Sequence, residues 1–351
     1  KAAISDAVLL FFLTAATFAT FNHCVSGERR WVRWAYLAMG LGFLTKGPVA
    51  VVIPAAASFL FYLATARGRD WWRAVLDWQG IGLFLAVAVP WYVAVWIEHG
   101  QYFIDEFFLK NNVGRFGEAM EGHSGGLWYY PLVTFVALLP FTGAVLAALR
   151  YLPADWRAAF GQPASIPLAL RRFGWLWFGL TLLLFSFSGT KLPHYLNYGL
   201  VGLMLVMASH LPQVKNRWLH LLPPAAFLLF VLLLPWLVEI NFEQIKPGYV
   251  QDMLAERDRF FGPSWYLITG GTLLLVLAAG FARRWSLPRV MVPVALSCSL
   301  VANALLLNAV GQMQQGPVRE AGMIARDLPG PLVMRGMRSE EHTSELQSPL
   351  C

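Results

Sequence analysis

A single lysine interrupts a long apolar stretch of this sequence, and it constrains the fold more than any other feature. Residues 34–66 have the sequence WAYLAMGLGFLTKGPVAVVIPAAASFLFYLATA, in which Lys46 is followed directly by Gly47 and Pro48. A lysine at the centre of a lipid bilayer costs roughly 2.5–3.5 kcal/mol, so lysines there are rare and usually functional. Any fold of this chain must therefore give Lys46 a partner or bring it to the membrane surface.

The composition predicts an all-α polytopic membrane protein. The 351 residues are 57% hydrophobic and 13% charged, whereas soluble domains carry about 25% charged residues. Runs of roughly 17–25 apolar residues predict membrane-spanning helices, and such runs occupy residues 6–22, 80–97, 127–149, 218–238, 264–282 and 290–310.

Two longer apolar regions, residues 34–66 and 173–210, are each broken by a Lys-X-Pro triplet. The triplets are Lys46-Gly47-Pro48 and Lys191-Leu192-Pro193. Proline disfavours helical geometry in the residue before it and suits the first turn of a new helix. We therefore predict that each region forms a pair of short helices, which gives a bundle of about ten crossings.

The basic residues favour this division. They fall into five groups between the predicted spans: Arg29, Arg30 and Arg33; Arg67, Arg69 and Arg73; Arg150, Arg157, Arg171 and Arg172; Lys215 and Arg217; Arg283, Arg284 and Arg289. With ten crossings all five groups lie on one side, which the positive-inside rule identifies as the cytoplasm. Asp6, Lys46 and Lys191 are then predicted on the outer side, with the loops at 98–126 and 239–263.

Each of these outer charges has two interpretations. Both lysines precede the first turn of a helix, where free N–H groups and the positive end of the helix dipole favour an anion such as phosphate. Alternatively, each lysine only anchors its helix by extending its ammonium group to the membrane surface. Asp6 either caps the first helix or serves as a carboxylate base at the depth of the two lysines.

The outer loop at 98–126 holds two further candidates, Arg115 and His123. A lone histidine is seldom a metal ligand, and no second His or Cys stands at ligand spacing from His123. His99 and His194 are predicted to be structural. The sequence contains no P-loop, dinucleotide-binding glycine pattern, zinc-protease motif or nucleophile elbow, so it predicts no nucleotide cofactor. Membrane orientation explains the basic loops, and no nucleic-acid partner is predicted.

Four segments in a fixed order resemble one known family. They are GLGFLTKGPVAVVIP, AVPWYVAVW, RFGEAMEGHSGGLWYYPLVTFVALLPF and FSFSGTKLPHYL. With them the chain resembles, over nearly all of residues 1–310, the bacterial aminoarabinose-transferase-like glycosyltransferases of the protein O-mannosyltransferase superfamily. The resemblance implies a GT-C fold, a multi-helix transmembrane bundle in the bacterial inner membrane with its active site facing the periplasm.

The resemblance also implies roles for individual residues. Asp6 corresponds to a catalytic aspartate of the family's first-helix segment. Lys46, Lys191 and Arg115 correspond to ligands of the donor phosphate. His123 corresponds to a histidine through which family members bind a divalent metal such as zinc.

Two departures from the family pattern lie in the loop nearest the acceptor. Asn111-Asn112 stands where a Glu-His pair is common, and Gly125-Gly126-Leu127 stands where a proline and an aromatic residue are common. Both departures concern the acceptor more than the donor.

The implied activity is transfer of a sugar from a polyprenyl-phosphate carrier to lipid A, to another envelope glycan or to a protein hydroxyl. Membrane lipids are further partners. The alternative is a transporter or flippase of a lipid-linked sugar or another anion, because broken helices with intramembrane cations also build transporter sites. A non-catalytic scaffold is a third class, and it predicts that the outer charges tolerate substitution.

Three segments are predicted along the chain. Residues 1–310 form the transmembrane domain, residues 311–337 begin a periplasmic domain, and residues 338–351 match a translated sequencing adapter. The family's first helix and first outer loop, which carries the main catalytic base, are expected to precede Lys1. A fragment without them is expected to be inactive alone.

Overall fold

The computed structural model describes residues 5–114, 125–157, 161, 163, 165–211, 216–245, 248–255, 257–282 and 284–326. Within these residues the chain is helical and forms no β-strand, which confirms the all-α prediction. The chain divides into two compact units. One comprises Lys1–Phe227 with Leu273–Cys298, and the other comprises Leu228–Thr272 with Ser299–Cys351.

The first five helices are joined by short connections. They are α1 (Ser5–Ser26), α2 (Arg29–Lys46), α3 (Val49–Ala64), α4 (Gly68–Val75) and α5 (Trp78–His99), followed by a helical turn (Gln101–Phe103) that continues as a π-helix (Ile104–Gly114). The predicted division of residues 34–66 is confirmed. Helix α2 ends at Lys46, and Gly47 takes a φ of 77°, a left-handed conformation that glycine adopts without steric cost. Pro48 then precedes α3.

Five more helices complete the middle of the chain. They are α6 (Tyr129–Ala137), α7 (Thr142–Arg157), α8 (Ile166–Ser186), α9 (Asn197–His210) and α10 (Trp218–Asn241), with 3₁₀ turns at Leu139–Phe141, Pro193–Leu196 and Phe242–Gln244. The predicted break near Lys191 is confirmed. The span predicted at 127–149 is not one continuous helix, because a 3₁₀ turn with a proline in its first positions separates α6 from α7. Proline removes a backbone donor and so interrupts the helical hydrogen bonds.

The remaining elements are α11 (Tyr249–Ala255), a 3₁₀ turn (Arg257–Arg259), α12 (Pro263–Phe281), α13 (Leu287–Leu300), a π-helix (Val301–Leu306) and α14 (Leu307–Arg326). The last helical run therefore passes the end that the sequence predicts at residue 310. Residues 327–351 lie outside the described part of the chain, so the segments at 311–337 and 338–351 stay predictions.

The described helices identify a multi-pass membrane protein. Six helical runs are long and apolar enough to cross a membrane: Ser5–Ser26, Trp78–His99, Ile166–Ser186, Trp218–Gln244, Pro263–Phe281 and Leu287–Gly316. Helix α3 is apolar but shorter. The count of about ten crossings depends on such short helices and stays a prediction.

Contacts between loops place the first three basic groups at one end of the first unit. The Nη1 atom of Arg67 donates to the carbonyl oxygen of Cys24 at 2.8 Å, which joins the last turn of α1 to the loop after α3. The backbone N–H of Gly161 donates to the carbonyl oxygen of Ala64 at 3.1 Å, which adds the connection between α7 and α8. We call this the basic end. Asp6 and Lys46 lie at the other ends of α1 and α2.

The core of the first unit is closely packed at glycines. Helices α8 and α9 meet where a Cβ added to Gly174 would lie 2.6 Å from the carbonyl oxygen of Gly202. A Cβ added to Gly202 would lie 2.7 Å from the carbonyl oxygen of Gly174. Small residues allow this close approach of helix backbones, which is a common way for membrane helices to associate.

We expect Gly202→Ala to lower the free energy of unfolding by about 1–3 kcal/mol, because the added methyl group meets a backbone oxygen that cannot move independently. Gly179→Ala in α8 is the matched control, since no atom lies within 4 Å of its added Cβ. Thermal unfolding of both variants in detergent measures the difference. Equal stability of the two variants would contradict this packing.

Candidate functional site

Helices α1, α2 and α9 bring one acid, one base and one phenol together. The Nζ atom of Lys46, at the last residue of α2, lies 2.6 Å from Oδ1 of Asp6 in the first turn of α1. The hydroxyl of Tyr198 in α9 donates a short hydrogen bond to the same oxygen and lies 3.5 Å from Lys46 Nζ. The Asp6 side chain is 15% exposed and that of Lys46 is 28% exposed, so the pair is neither buried nor fully solvated.

The 3₁₀ turn before α9 adds further groups beside this pair. The Lys46 ammonium lies 5.3 Å from the centroid of the Tyr195 ring, within range of a cation–π interaction. The Nε2 atom of His194 lies 3.8 Å from Oδ1 of Asp6. The rings of Tyr195 and Tyr198 are stacked at 6.1 Å between centroids. We call Asp6, Lys46, His194, Tyr195 and Tyr198 the outer cluster.

Helix α2 ends without help from the ammonium group of Lys46. The carbonyl oxygen of Phe43 accepts the N–H of Gly47 at 2.8 Å and the hydroxyl of Tyr92 at 2.8 Å. The Thr45 hydroxyl donates to the carbonyl oxygen of Gly42 at 2.6 Å. Gly47 and Tyr92 thus satisfy one of the carbonyl groups that the end of a helix leaves free, and Lys46 Nζ contacts Asp6 instead.

Lys191 has a different environment although it stands in the same kind of triplet. Its side chain is 5% exposed, and its ammonium donates to the carbonyl oxygens of Ser186 at 2.7 Å and Ser188 at 2.9 Å. These oxygens belong to the end of α8 and the residues after it. Burial lowers the pKa of Lys191, which lies between helices, while the two carbonyl groups stabilise the charged form.

Lys191 therefore closes the C-terminal end of α8, a position where a cation also interacts favourably with the helix dipole. It is further enclosed by Tyr130, whose ring centroid lies 5.9 Å from the ammonium. The role of Lys191 as a phosphate ligand stays a prediction. The outer cluster does not include it.

Asp6 is used as more than a helix cap. Its contacts to Lys46, Tyr198 and His194 all fall on Oδ1. The Lys46 bond joins α1 to α2, and the Tyr198 bond joins α1 to α9. The catalytic role assigned to Asp6 stays a prediction, but the carboxylate lies where three helical elements converge.

The other two predicted site residues, Arg115 and His123, lie outside the described residues. Their roles in phosphate and metal binding stay predictions. Among the residues that the structure describes, no group of three or more His, Cys, Asp or Glu side chains is placed to hold a metal ion. The outer cluster offers only His194 and Asp6, and the Asp6 oxygen that faces His194 already accepts from Lys46 and Tyr198. These residues do not form a metal site.

Tyr198 and Tyr195 are not among the site residues predicted from the sequence, and His194 is predicted there only as a structural residue. Tyr198 is 192 residues from Asp6 in the chain, and no local pattern encodes such a contact. One signal was present: all three residues follow the Lys191-Leu192-Pro193 triplet within the segment KLPHYLNY. Polar and aromatic residues at the start of a membrane helix are candidates for a site at its end.

We expect the two lysines to differ in their contribution to stability. Lys191→Met leaves two carbonyl groups without their donor and should lower the free energy of unfolding by about 3 kcal/mol. Lys46→Met removes a partly exposed ion pair and should cost about 1 kcal/mol. Thermal unfolding in detergent compares them. A larger loss for Lys46→Met would contradict the assigned environments.

Residues 2–96 match the family described as dolichyl-phosphate-mannose-protein mannosyltransferase. Among curated proteins, the chain is 28% identical over 233 residues to an uncharacterised protein of Aquifex aeolicus, covering 66% of this chain and 48% of that protein. It is 28% identical over 221 residues to the undecaprenyl phosphate-alpha-4-amino-4-deoxy-L-arabinose arabinosyl transferase of Edwardsiella ictaluri. This match covers 61% of this chain and 38% of that protein. It is 31% identical over 214 residues to the same transferase of Pseudomonas paraeruginosa, covering 59% and 36%. The chain thus spans less than half the length of each of these relatives.

Two solved structures share the fold. ArnT from Cupriavidus metallidurans bound to undecaprenyl phosphate superposes with a TM-score of 0.70 at 23% identity, covering 97% of this chain and 60% of that protein. The apo state of the same protein gives a TM-score of 0.68 at 22% identity, covering 97% and 59%. The resemblance seen in the sequence is thus confirmed as a similarity: this chain shares the helical fold of these ArnT structures and is similar in sequence to the arabinosyl transferases named above.

Proposed function

We propose that this chain carries the donor site of a membrane glycosyltransferase that uses a polyprenyl-phosphate-linked sugar. The observation that carries the proposal is the outer cluster, in which Lys46 is held beside Asp6 and Tyr198 at the end of the bundle away from the basic end. A protein of the same fold has been solved with undecaprenyl phosphate bound. Undecaprenyl phosphate is therefore the proposed carrier.

The chemistry of the cluster fits transfer from a phosphate leaving group. The bond between the anomeric carbon of the sugar and the phosphate oxygen breaks, and its electron pair leaves with the phosphate. The acceptor oxygen bonds to the anomeric carbon, and its proton passes to a carboxylate. Lys46 stabilises the negative charge that develops on the leaving phosphate, because a fixed cation at that position needs no reorganisation during the reaction.

Asp6 and the two tyrosines have supporting roles in this proposal. The Oδ2 atom of Asp6 is on the side of the carboxylate away from its contacts with Lys46 and Tyr198, and it accepts a hydroxyl hydrogen bond from substrate. Tyr198 fixes the orientation of the carboxylate. Tyr195 limits access of water to the ammonium by covering it with its ring.

The names of the relatives suggest the substrates. Several are transferases of 4-amino-4-deoxy-L-arabinose from undecaprenyl phosphate, so this sugar is the first donor to test. Lipid A, another envelope glycan and a protein hydroxyl remain the candidate acceptors. A metal bound through His123 remains a separate proposal, and no step of the mechanism above depends on it.

The orientation is also part of the proposal. The three basic groups brought together at one end support a cytoplasmic location for that end by the positive-inside rule. The outer cluster then faces the periplasm across the bacterial inner membrane. Nothing in the relatives supports the transporter alternative, since those with a named activity are transferases.

We expect Lys46→Met to weaken binding of undecaprenyl phosphate by about tenfold or more, since a charge-assisted hydrogen bond to phosphate is lost. Lys110→Met is the matched control, because Lys110 is an exposed lysine paired with Glu106 in the π-helix. Native mass spectrometry of the purified chain with added undecaprenyl phosphate gives both affinities. Equal weakening by the two substitutions would mean that only general charge matters.

Asp6→Asn should have the opposite effect on binding. Removing the carboxylate beside Lys46 removes its repulsion of a phosphate, so affinity for undecaprenyl phosphate should rise by about threefold to tenfold. The rate of sugar transfer by the full-length protein should fall by about 100-fold or more if Asp6 accepts a substrate proton. Unchanged transfer with tighter binding would limit Asp6 to positioning Lys46.

An assay in proteoliposomes distinguishes a transferase from a transporter. The full-length protein is reconstituted with labelled undecaprenyl-phosphate-linked aminoarabinose and lipid A. Two quantities are measured: the glycosidic product formed and the label moved between leaflets. A transferase forms a new glycosidic product without moving label between leaflets. Movement of the intact lipid-linked sugar without such a product would replace the proposed function with transport.

A further inference from the structure

A second site lies at the basic end of the first unit, away from the outer cluster. Two adjoining, partly open cavities are lined by residues of α1, α2 and α4 and of the loops between them. The first, of about 230 Å³, is lined by charged residues that include Arg29, Arg67, Arg73, Asp70 and Asp77. We call it the mouth. The second, of about 190 Å³, reaches α3 and is lined mainly by apolar side chains; we call it the chamber.

The mouth and the chamber adjoin each other. His23, Val32 and Ala74 line both of them. The pair therefore forms one amphipathic site, charged at the basic end and apolar towards the interior of the bundle. A soluble anion would contact only the charged half, whereas a phospholipid has a phosphate for the charged half and acyl chains for the apolar half.

The mouth has more arginines than its own carboxylates neutralise. Arg67 binds Asp70 at 2.8 Å, and Arg73 reaches the same carboxylate at 3.5 Å with 80% of its side chain exposed. The Arg67 guanidinium lowers the pKa of Asp70, which keeps that carboxylate charged and paired. Asp77 accepts the N–H of Gly80 at 2.9 Å as the cap of α5. The side chain of Arg29 makes no hydrogen bond or ion pair with any residue that the structure describes.

The boundary between the two cavities offers a polar group to a ligand. Tyr62 lines the chamber, is 2% exposed, and its buried hydroxyl has no oxygen or nitrogen partner among the described residues. Its polar neighbour is the thiol of Cys24, which is only a weak hydrogen-bonding group. Arg67 lies over the Tyr62 ring at 5.4 Å, so the hydroxyl-bearing ring stands directly beside the mouth. In a phospholipid the ester carbonyl groups lie between the phosphate and the acyl chains, which matches the position of this hydroxyl between the mouth and the chamber.

Helix α4 supplies a membrane-surface element beside the mouth. It carries Arg69 and Arg73 together with Trp71 and Trp72. Trp71 lines the chamber, while Trp72 is 56% exposed. A short helix with arginines and tryptophans on different faces is typical of the interface between water and lipid.

We propose that the mouth and chamber bind one anionic phospholipid from the leaflet at the basic end. The phosphate lies among Arg29, Arg67 and Arg73, the ester region lies beside Tyr62, and part of an acyl chain enters the chamber. The site is independent of the proposed donor site, because the two share no residue.

The first experiment measures retention of phosphatidylglycerol by the delipidated whole chain with native mass spectrometry. We expect one tightly retained phosphatidylglycerol per chain and at least tenfold weaker binding of phosphatidylcholine, whose head group has no net charge. The double variant Arg29→Gln with Arg73→Gln should lose about tenfold or more in affinity. Equal retention of the two lipids by the unaltered chain would overturn the proposal.

Matched controls separate a built site from general attraction to an anionic leaflet. Arg33→Gln with Arg69→Gln removes the same charge from the same two helices, one turn away from Arg29 and Arg73, and neither residue lines the mouth. This variant should lose less than about twofold. An equal loss of affinity in both double variants would mean that the lipid is held only by general surface charge, which would overturn the proposal.

Two further arms test the lipid itself. Soluble sn-glycerol 3-phosphate should fail to displace phosphatidylglycerol at equal concentration, because it has no acyl chain for the chamber. Ala55→Phe, which fills the chamber from α3 without changing charge, should weaken phosphatidylglycerol binding while the arginines stay in place. Efficient displacement by glycerol phosphate, or full binding by a folded Ala55→Phe variant, would show that the mouth binds anions without a lipid chain.

Discussion

A helix that ends among apolar neighbours must find donors for its last carbonyl groups, because no water is present to supply them. The two Lys-X-Pro breaks of this chain meet that constraint in different ways. At the first break, Gly47 and Tyr92 donate to the carbonyl oxygen of Phe43. At the second break, the ammonium of Lys191 itself donates to the carbonyl oxygens at the end of α8. The same triplet therefore leaves the ammonium of Lys46 to contact Asp6, whereas the ammonium of Lys191 is bound to backbone carbonyl groups.

This difference explains which parts of the site can be predicted from the sequence. The breaks follow from the local chemistry of proline and glycine, so their positions were predicted correctly. The common side of Asp6 and Lys46 followed from the distribution of arginines. The contact of Asp6 with Tyr198 joins residues 192 positions apart, and it depends on how α9 packs beside α1. No hydrophobic period in a single helix determines that packing.

The same limit applies to the two lysines and to the helix at residues 127–149. Lys46 and Lys191 each follow a threonine and stand two residues before a proline, and the contact of Tyr92 in α5 with the end of α2 is a feature of the first break that this local pattern does not encode. Apolarity predicted a single crossing at 127–149, although one proline in a run of good membrane residues is enough to start a 3₁₀ turn. Composition gives the number of apolar residues in a span, whereas continuity of the helix depends on single backbone donors.

Helices α1 and α2 connect the two ends of the first unit. Asp6 begins α1 and Lys46 ends α2, while His23 and Arg29 stand at their other ends. The two helices and α3 are tightly packed at Gly42, where an added Cβ would lie 2.9 Å from Cβ of Ala50 and 3.3 Å from Cβ of Phe12. Close packing of this kind resists sliding of one helix along another. A ligand at the basic end therefore affects the outer cluster only if it changes how these helices pack together.

The outer cluster also shows how Lys46 can exchange partners without leaving a charge alone. Breaking a buried ion pair by removing one partner costs about 3–5 kcal/mol, since the other charge loses its compensation. The hydroxyl of Tyr198 and the ring of His194 also lie beside Oδ1 of Asp6, so they would still face the carboxylate if Lys46 turned to another anion. The pair is also partly exposed, which lowers that cost further. In the proposed function, Tyr198 therefore holds the Asp6 carboxylate in place while the ammonium of Lys46 binds a phosphate.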